Sequence, residues 1–130
     1  MSRPPKPTEA ELEILSVLWE ENPATVRRVH DLLTARGRES GYTTVLKLMQ
    51  IMAGKGLVER DESRRTHTYT PARTPRVTRK ALVDDLMQRA FSGSAGQLAL
   101  HALSARKASP EEIDEIRRLL DSMEKKGGDQ

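Results

Sequence analysis

The sequence predicts a mainly α-helical chain carrying one small β-hairpin, and three observations predict it. Apolar residues recur at three- and four-residue steps along most of the chain, and the period turns strand-like after Gly56. The core must also be largely aliphatic, because the 130 residues include only one Trp, two Tyr and one Phe. Side chains of Leu, Ile, Val, Met and Ala favour helices over a large sheet. A chain of this length holds one ordinary core or two very small ones, so one compact domain with an appendage is expected.

The elements follow in order. Thr8-Glu9-Ala10-Glu11 has the form of a capping box, and Leu12, Leu15, Leu18 and Trp19 follow it at helical spacing. This is the first helix, closed by Asn22-Pro23, with Trp19 read as core. A second, amphipathic helix is expected from Thr25 to Arg36, with Val26, Val29, Leu32 and Leu33 on one face and Gly37 as its left-handed stop. The third begins in Ser40-Gly41-Tyr42-Thr43-Thr44, a run of weak helix formers in which Thr43 is a candidate N-cap, and ends at Gly56. Its apolar face is Val45, Leu48, Met49 and Met52. Leu57–Arg60 and Thr66–Thr70 then read as two strands around a basic tip, ended by Pro71 and Pro75. Thr74-Pro75 opens a fourth helix with Val77, Leu82, Leu86 and Ala90 inward. After the Ser92–Gly96 interruption come a fifth helix over Gln97–Ala105 and a sixth from Ser109-Pro110-Glu111-Glu112 to Gly128.

Three helices followed by a two-stranded hairpin is the order of a winged helix-turn-helix, in which the third helix enters the major groove and the hairpin wing lies along the backbone. Residues 1–74 are therefore assigned to a winged-helix DNA-binding domain and residues 75–130 to a helical dimerisation module. Positive charge is concentrated in the middle third of the chain. The whole chain carries +3, but residues 40–80 hold 9 Lys/Arg against 3 Asp/Glu, a local +6. Such a segment fits a phosphate-facing surface, and equally a solvated loop rich in Arg.

If the third helix turns its apolar face inward, a step of about 100° per residue puts Thr43, Thr44, Lys47 and Gln50 outward, with Ile51 beside them. Those side chains suit base edges: Lys47 donates to guanine, Gln50 matches adenine, and Thr methyls meet the thymine methyl. The hydroxyl of Tyr42, with Lys55, Arg64, Arg65 and His67 on the wing side, is assigned to phosphates. Taken singly, each of these is also an ordinary surface or cap residue, and Arg64-Arg65 is also a plain solubilising turn. In the last helix, Ile113, Ile116, Leu119, Leu120 and Met123 form an apolar stripe that, with Leu82 and Leu86, is assigned to a homodimer interface; folding back on the winged helix is the alternative.

Other classes are weaker. There is no Cys, which removes disulfides, thiolate ligands and Cys nucleophiles. His30, His67 and His101 have no ligand-like spacing, and no catalytic triad, phosphate-binding glycine loop or HExxH motif is present. No enzyme activity, metal or cofactor is expected. The apolar runs are too short to span a bilayer and the N-terminal MSRPPKPTEA has no apolar core of a signal peptide, so a cytoplasmic protein without membrane insertion is expected. The competing function is a winged-helix protein-interaction adaptor with no DNA target, which would want an acidic or apolar third-helix face.

With these residues in hand, the sequence resembles the penicillinase repressor family of BlaI/MecI-like transcriptional repressors. The resemblance is carried by Pro7-Thr8-Glu9-Ala10-Glu11-Leu12-Glu13-Ile14-Leu15 through Leu18-Trp19, by Tyr42-Thr43-Thr44-Val45, by Lys55–Arg60 and by Ser109–Leu120. It implies a homodimeric repressor on a dyad-symmetric operator in front of β-lactam-resistance or related stress genes. It also implies a membrane-bound sensor and protease pathway that cleaves an Asn-Phe bond in the fifth helix. Here His101-Ala102 aligns with that bond, so the usual scissile pair is missing. The copper-responsive branch uses a C-terminal cysteine motif, and this chain has none.

Overall fold

The computed structural model describes residues 5–128. Residues 1–4, the start of the N-terminal stretch discussed above, and residues 129–130 lie outside the described range. The elements are α1 (Glu9–Glu20), α2 (Val26–Ala35), α3 (Tyr42–Lys55), β1 (Val58–Asp61), β2 (Thr68–Pro71), α4 (Pro75–Ala90), α5 (Ala95–Ala105) and α6 (Pro110–Gly128). The chain is thus mainly helical with one antiparallel hairpin. It divides into two compact units after Asp85, inside α4.

In the first unit, local chemistry sets each helix start. Thr8 caps α1: its hydroxyl accepts from the Glu11 backbone N–H at 3.2 Å, and Glu11 Oε1 accepts from the Thr8 N–H at 2.8 Å. Thr25 caps α2 by accepting from the Arg28 N–H at 3.1 Å. The N-cap of α3 is Gly41, in extended conformation and without a side-chain cap bond, rather than Thr43. The helix begins at Tyr42, one residue before Thr43, which therefore falls in its first turn with an exposed side chain. Gly56, at φ +78°, ends α3 in the left-handed region, and the Leu57 N–H reaches back to the Met52 carbonyl at 2.9 Å.

That turn shifts the hairpin relative to expectation. Leu57 belongs to the helix terminus, and β1 runs from Val58 to Asp61, paired with Thr68–Pro71 in the register Val58↔Pro71 to Asp61↔Thr68. Thr66 and His67 lie in the loop before β2 rather than on the strand, since Asp61↔Thr68 is the last pair. Pro71 is the final paired residue, where a missing N–H breaks no interior ladder bond. A further bridge joins Ala24 and Tyr69 through N–H···O bonds of 3.0 and 2.8 Å, which fixes the hairpin to the loop between α1 and α2.

The core gathers residues from α1, α2, α3 and the hairpin: Ile14, Leu15, Val17 and Leu18 of α1, Val29 and Leu33 of α2, Val45, Met49 and Met52 of α3, and Val58 and Tyr69 of the hairpin. Leu48 and Trp19 are half-buried at its edge. The Trp19 indole N–H donates to the Arg73 carbonyl at 3.0 Å, tying the end of α1 to the segment after β2.

Glu11 is the buried exception, 2% exposed. Burial alone would raise its carboxyl pKa, but the Lys55 ammonium at 2.7 Å and the cap bonds to Thr8 outweigh that, holding it below the usual glutamate range. One side chain therefore caps α1 and anchors the last turn of α3.

In the second unit, α5 and α6 are again capped from sequence. Ser94 accepts from the Gln97 N–H at 3.1 Å, and Ser109 and Glu112 form a reciprocal box with bonds of 3.1 and 2.9 Å. No described residue of α5 or α6 is buried. Leu100, Leu119 and Met123 are each about 60% exposed. On α4, Val77, Leu86 and Ala90 are exposed and Leu82 half-buried, with Thr78 the only buried residue, so the face expected inward is uncovered within one chain. The apolar face that periodicity identifies on α4 is thus largely exposed among the described residues.

Candidate nucleic-acid interface

α3 packs against α1, α2 and β1, and its remaining side is open. Burying Val45, Met49 and Met52 leaves Tyr42, Thr43, Thr44, Lys47, Gln50 and Ile51 exposed. Successive residues at three- and four-step spacing place Thr43, Lys47 and Gln50 along one stripe of donors and acceptors with a single positive charge. Ile51, 44% exposed, is an apolar addition beside them.

The wing tip, residues 62–67, is exposed throughout. The Ser63 hydroxyl and backbone N–H bond to Asp61, the latter at 2.8 Å, and the nearby Arg64 and His67 charges add to them. Together they hold the Asp61 carboxyl below its ordinary range, so the base of the turn stays ionised. Arg60 pairs with Glu62 at 2.8 Å.

Internal pairing sorts the basic side chains. Arg28 is held by Glu21, Arg36 by Glu20, Arg38 by Glu13, Lys55 by Glu11 and Arg60 by Glu62. Among the described residues, Lys47 on α3 and Arg65 on the wing have no such acidic partner. Free cations of this kind retain their full value for phosphate or base contacts, whereas paired ones must first give up a partner. Lys55 thus has an internal role that sequence reading missed, because its partner lies 44 residues away and no local spacing signals it.

A second missed feature surrounds Tyr42. The Arg27 guanidinium lies 4.6 Å above its ring centroid, and the His30 ring meets it edge-on at 6.1 Å and 75°. Both partners come from α2, so the first residue of α3 is held by the preceding helix.

Leu82 and Leu86 lie on α4, Leu82 half-buried, while Ile113, Leu119, Leu120 and Met123 are exposed on α6 with Ile116 half-buried among them. His101 and Ala102 are exposed in the helical middle of α5, the His101 ring against Phe91 at 5.2 Å. Among the described residues no group of three or more His, Cys, Asp and Glu could hold a metal ion, and no helix is long and apolar enough to cross a membrane.

A family model described as Penicillinase repressor matches residues 7–122. The sequence is 34% identical over 118 residues to a protein named Transcriptional regulator BlaI from Mycobacterium tuberculosis, covering 89% of this chain and 83% of that one. It is 24% identical over 121 residues to the Penicillinase repressor of Bacillus licheniformis, covering 93% and 94%. Among solved structures, the DNA-binding domain of the repressor BlaI superposes with a TM-score of 0.50 at 23% identity, over 59% of this chain and 93% of that one. RosR of H. salinarum gives a TM-score of 0.50 at 22% identity, over 88% and 91%. These last two are likenesses of fold, and the fold they share is the winged helix.

Proposed function

Because the chain belongs to the penicillinase repressor family, we propose that it is a transcriptional repressor that binds DNA as a homodimer and recognises a dyad-symmetric operator. The observation that carries this reading is the open face of α3, polar, singly cationic and flanked by an exposed basic wing. In this account Thr43, Thr44, Lys47 and Gln50 read base edges, while Tyr42, Arg64, Arg65 and His67 meet the backbone. Lys55 contributes chiefly by fixing the end of α3 through Glu11.

The uncovered apolar residues of α4 and α6 support the dimer, since a stripe of Leu, Ile and Met this exposed in one chain gains most by meeting its own copy. A two-fold dimer spaces two α3 helices on one side of the duplex and doubles the contacts each half-site makes. β-Lactam-resistance or related stress genes are the proposed targets, following the names of the relatives. With His101-Ala102 where the family's usual scissile pair would stand, release proceeds either by a membrane sensor and protease pathway of altered specificity or by another signal. The relatives are regulators, and no catalytic role is proposed.

Genome-wide footprinting with the purified full chain tests the reading. Protected sites should share an inverted repeat upstream of a small set of genes. Protection without a common dyad would reject sequence-specific repression by a symmetric dimer.

A further inference from the structure

The junction of α2 and α3 brings an exposed basic side chain against an aromatic ring. Arg27, the second residue of α2, stacks on the face of Tyr42, the first residue of α3, and His30 closes on the ring edge. The two contacts fix the plane of the phenol, which is 38% exposed. Arg27 is exposed and, unlike Arg28 beside it, has no acidic partner among the described residues. Neither the Tyr42 hydroxyl nor the Arg27 guanidinium has a hydrogen bond to the protein among those residues. The cluster therefore offers a positive charge and unused donors, the guanidinium N–H groups and the phenolic O–H, which fits an anionic ligand.

We infer that Arg27 is a positioning residue for DNA binding: it holds Tyr42 in the orientation that presents its hydroxyl to a backbone phosphodiester, and its own guanidinium contacts the same strand. This rests on the DNA-binding reading above and extends it from α3 to α2. Crossing the backbone with the helix before the recognition helix is sterically ordinary for this architecture. The specific content is that Arg27 and Tyr42 act as one unit. A guanidinium stacks flat on an aromatic ring while its N–H edge stays available, whereas a lysine ammonium supplies the charge without the planar stack.

The test uses the full chain and a duplex carrying the footprinted dyad, with affinity followed by fluorescence anisotropy across a salt series. Proteins are wild type, Arg27→Ala, Arg27→Lys, Tyr42→Phe and Arg27→Ala/Tyr42→Phe, each checked for an unchanged thermal midpoint. Arg27→Ala should weaken binding about tenfold and make the salt dependence shallower by about 0.9 per protomer. Arg27→Lys should restore the salt slope but not the full affinity. The double variant should bind only slightly worse than Arg27→Ala, because the phenol is already misplaced once Arg27 is gone. Additive losses, or an Arg27→Ala protein indistinguishable from wild type, would overturn the inference while leaving the repressor reading intact. A wild-type protein that binds no duplex specifically would remove both.

Discussion

Two side chains of opposite sign show how the fold and its DNA surface are kept separate. Glu11, buried at the start of α1, is held ionised by Lys55, while Lys47, two turns earlier on α3, has no acidic partner among the described residues. Because the folded-state pKa of Glu11 lies below its ordinary value, its contribution to stability is fully present above the ordinary glutamate pKa. It is lost as pH falls through the lowered one. Acid titration of the thermal midpoint should show this loss, and Glu11→Gln should flatten that part of the curve. Lys55→Ala should destabilise the winged helix by about 1–3 kcal/mol in denaturant melts, by leaving a buried carboxylate without its cation. Lys47 and Arg65 should divide in another way. Lys47→Ala is expected to cost about 1–3 kcal/mol on the cognate site and to relax specificity at one position. Arg65→Ala should weaken all sequences alike and lower the salt slope by about one. Equal behaviour of the two variants in anisotropy titrations would contradict the division of roles.

At the scale of the element, α3 carries both structure and recognition, and two of its glycines make the point with opposite signs. Gly54 is helical and Gly56 left-handed, and a Cβ added at either would meet nothing within 4 Å. Gly54→Ala should therefore stabilise the helix by about 0.5–1 kcal/mol, and Gly56→Ala should destabilise it by about 1 kcal/mol through backbone strain alone. Thermal melts of the two single variants separate these effects. The same helix shows what sequence can and cannot disclose. Its inward and outward faces were legible because the 3.6-residue period needs only Val45, Met49 and Met52 to fix its phase. Its start was not, because an N-cap such as Gly41 in extended conformation needs no side-chain bond, and a hydroxyl at Thr43 looked better suited. The Lys55–Glu11 pair and the Arg27–Tyr42 stack were hidden for a different reason: they join elements that only the tertiary fold brings together. His67 lies before the strand because β1 ends at Asp61, and the partner of Asp61, Thr68, is therefore the first paired residue of β2.

For the whole molecule, the winged helix closes a core of its own, whereas α5 and α6 bury nothing among their described residues. Apolar patterning in the last helix revealed a sticky face, but periodicity cannot name what covers it. A second copy of the chain is the proposed cover. Sedimentation should find the full chain as a dimer, and Leu120→Asp should shift it to monomer while the winged helix keeps its melting behaviour, because that residue takes no part in the first unit's core. A monomeric variant should also lose the advantage of two half-sites on one duplex. The most direct test of the central claim is therefore an anisotropy titration of the full chain, near physiological salt, on three duplexes: the footprinted dyad, the dyad with one half-site scrambled, and random sequence. Binding to the dyad should be at least about 10³-fold tighter than to random duplex, with most of that preference lost when one half-site is scrambled. Equal affinity for all three would contradict a symmetric, sequence-reading repressor.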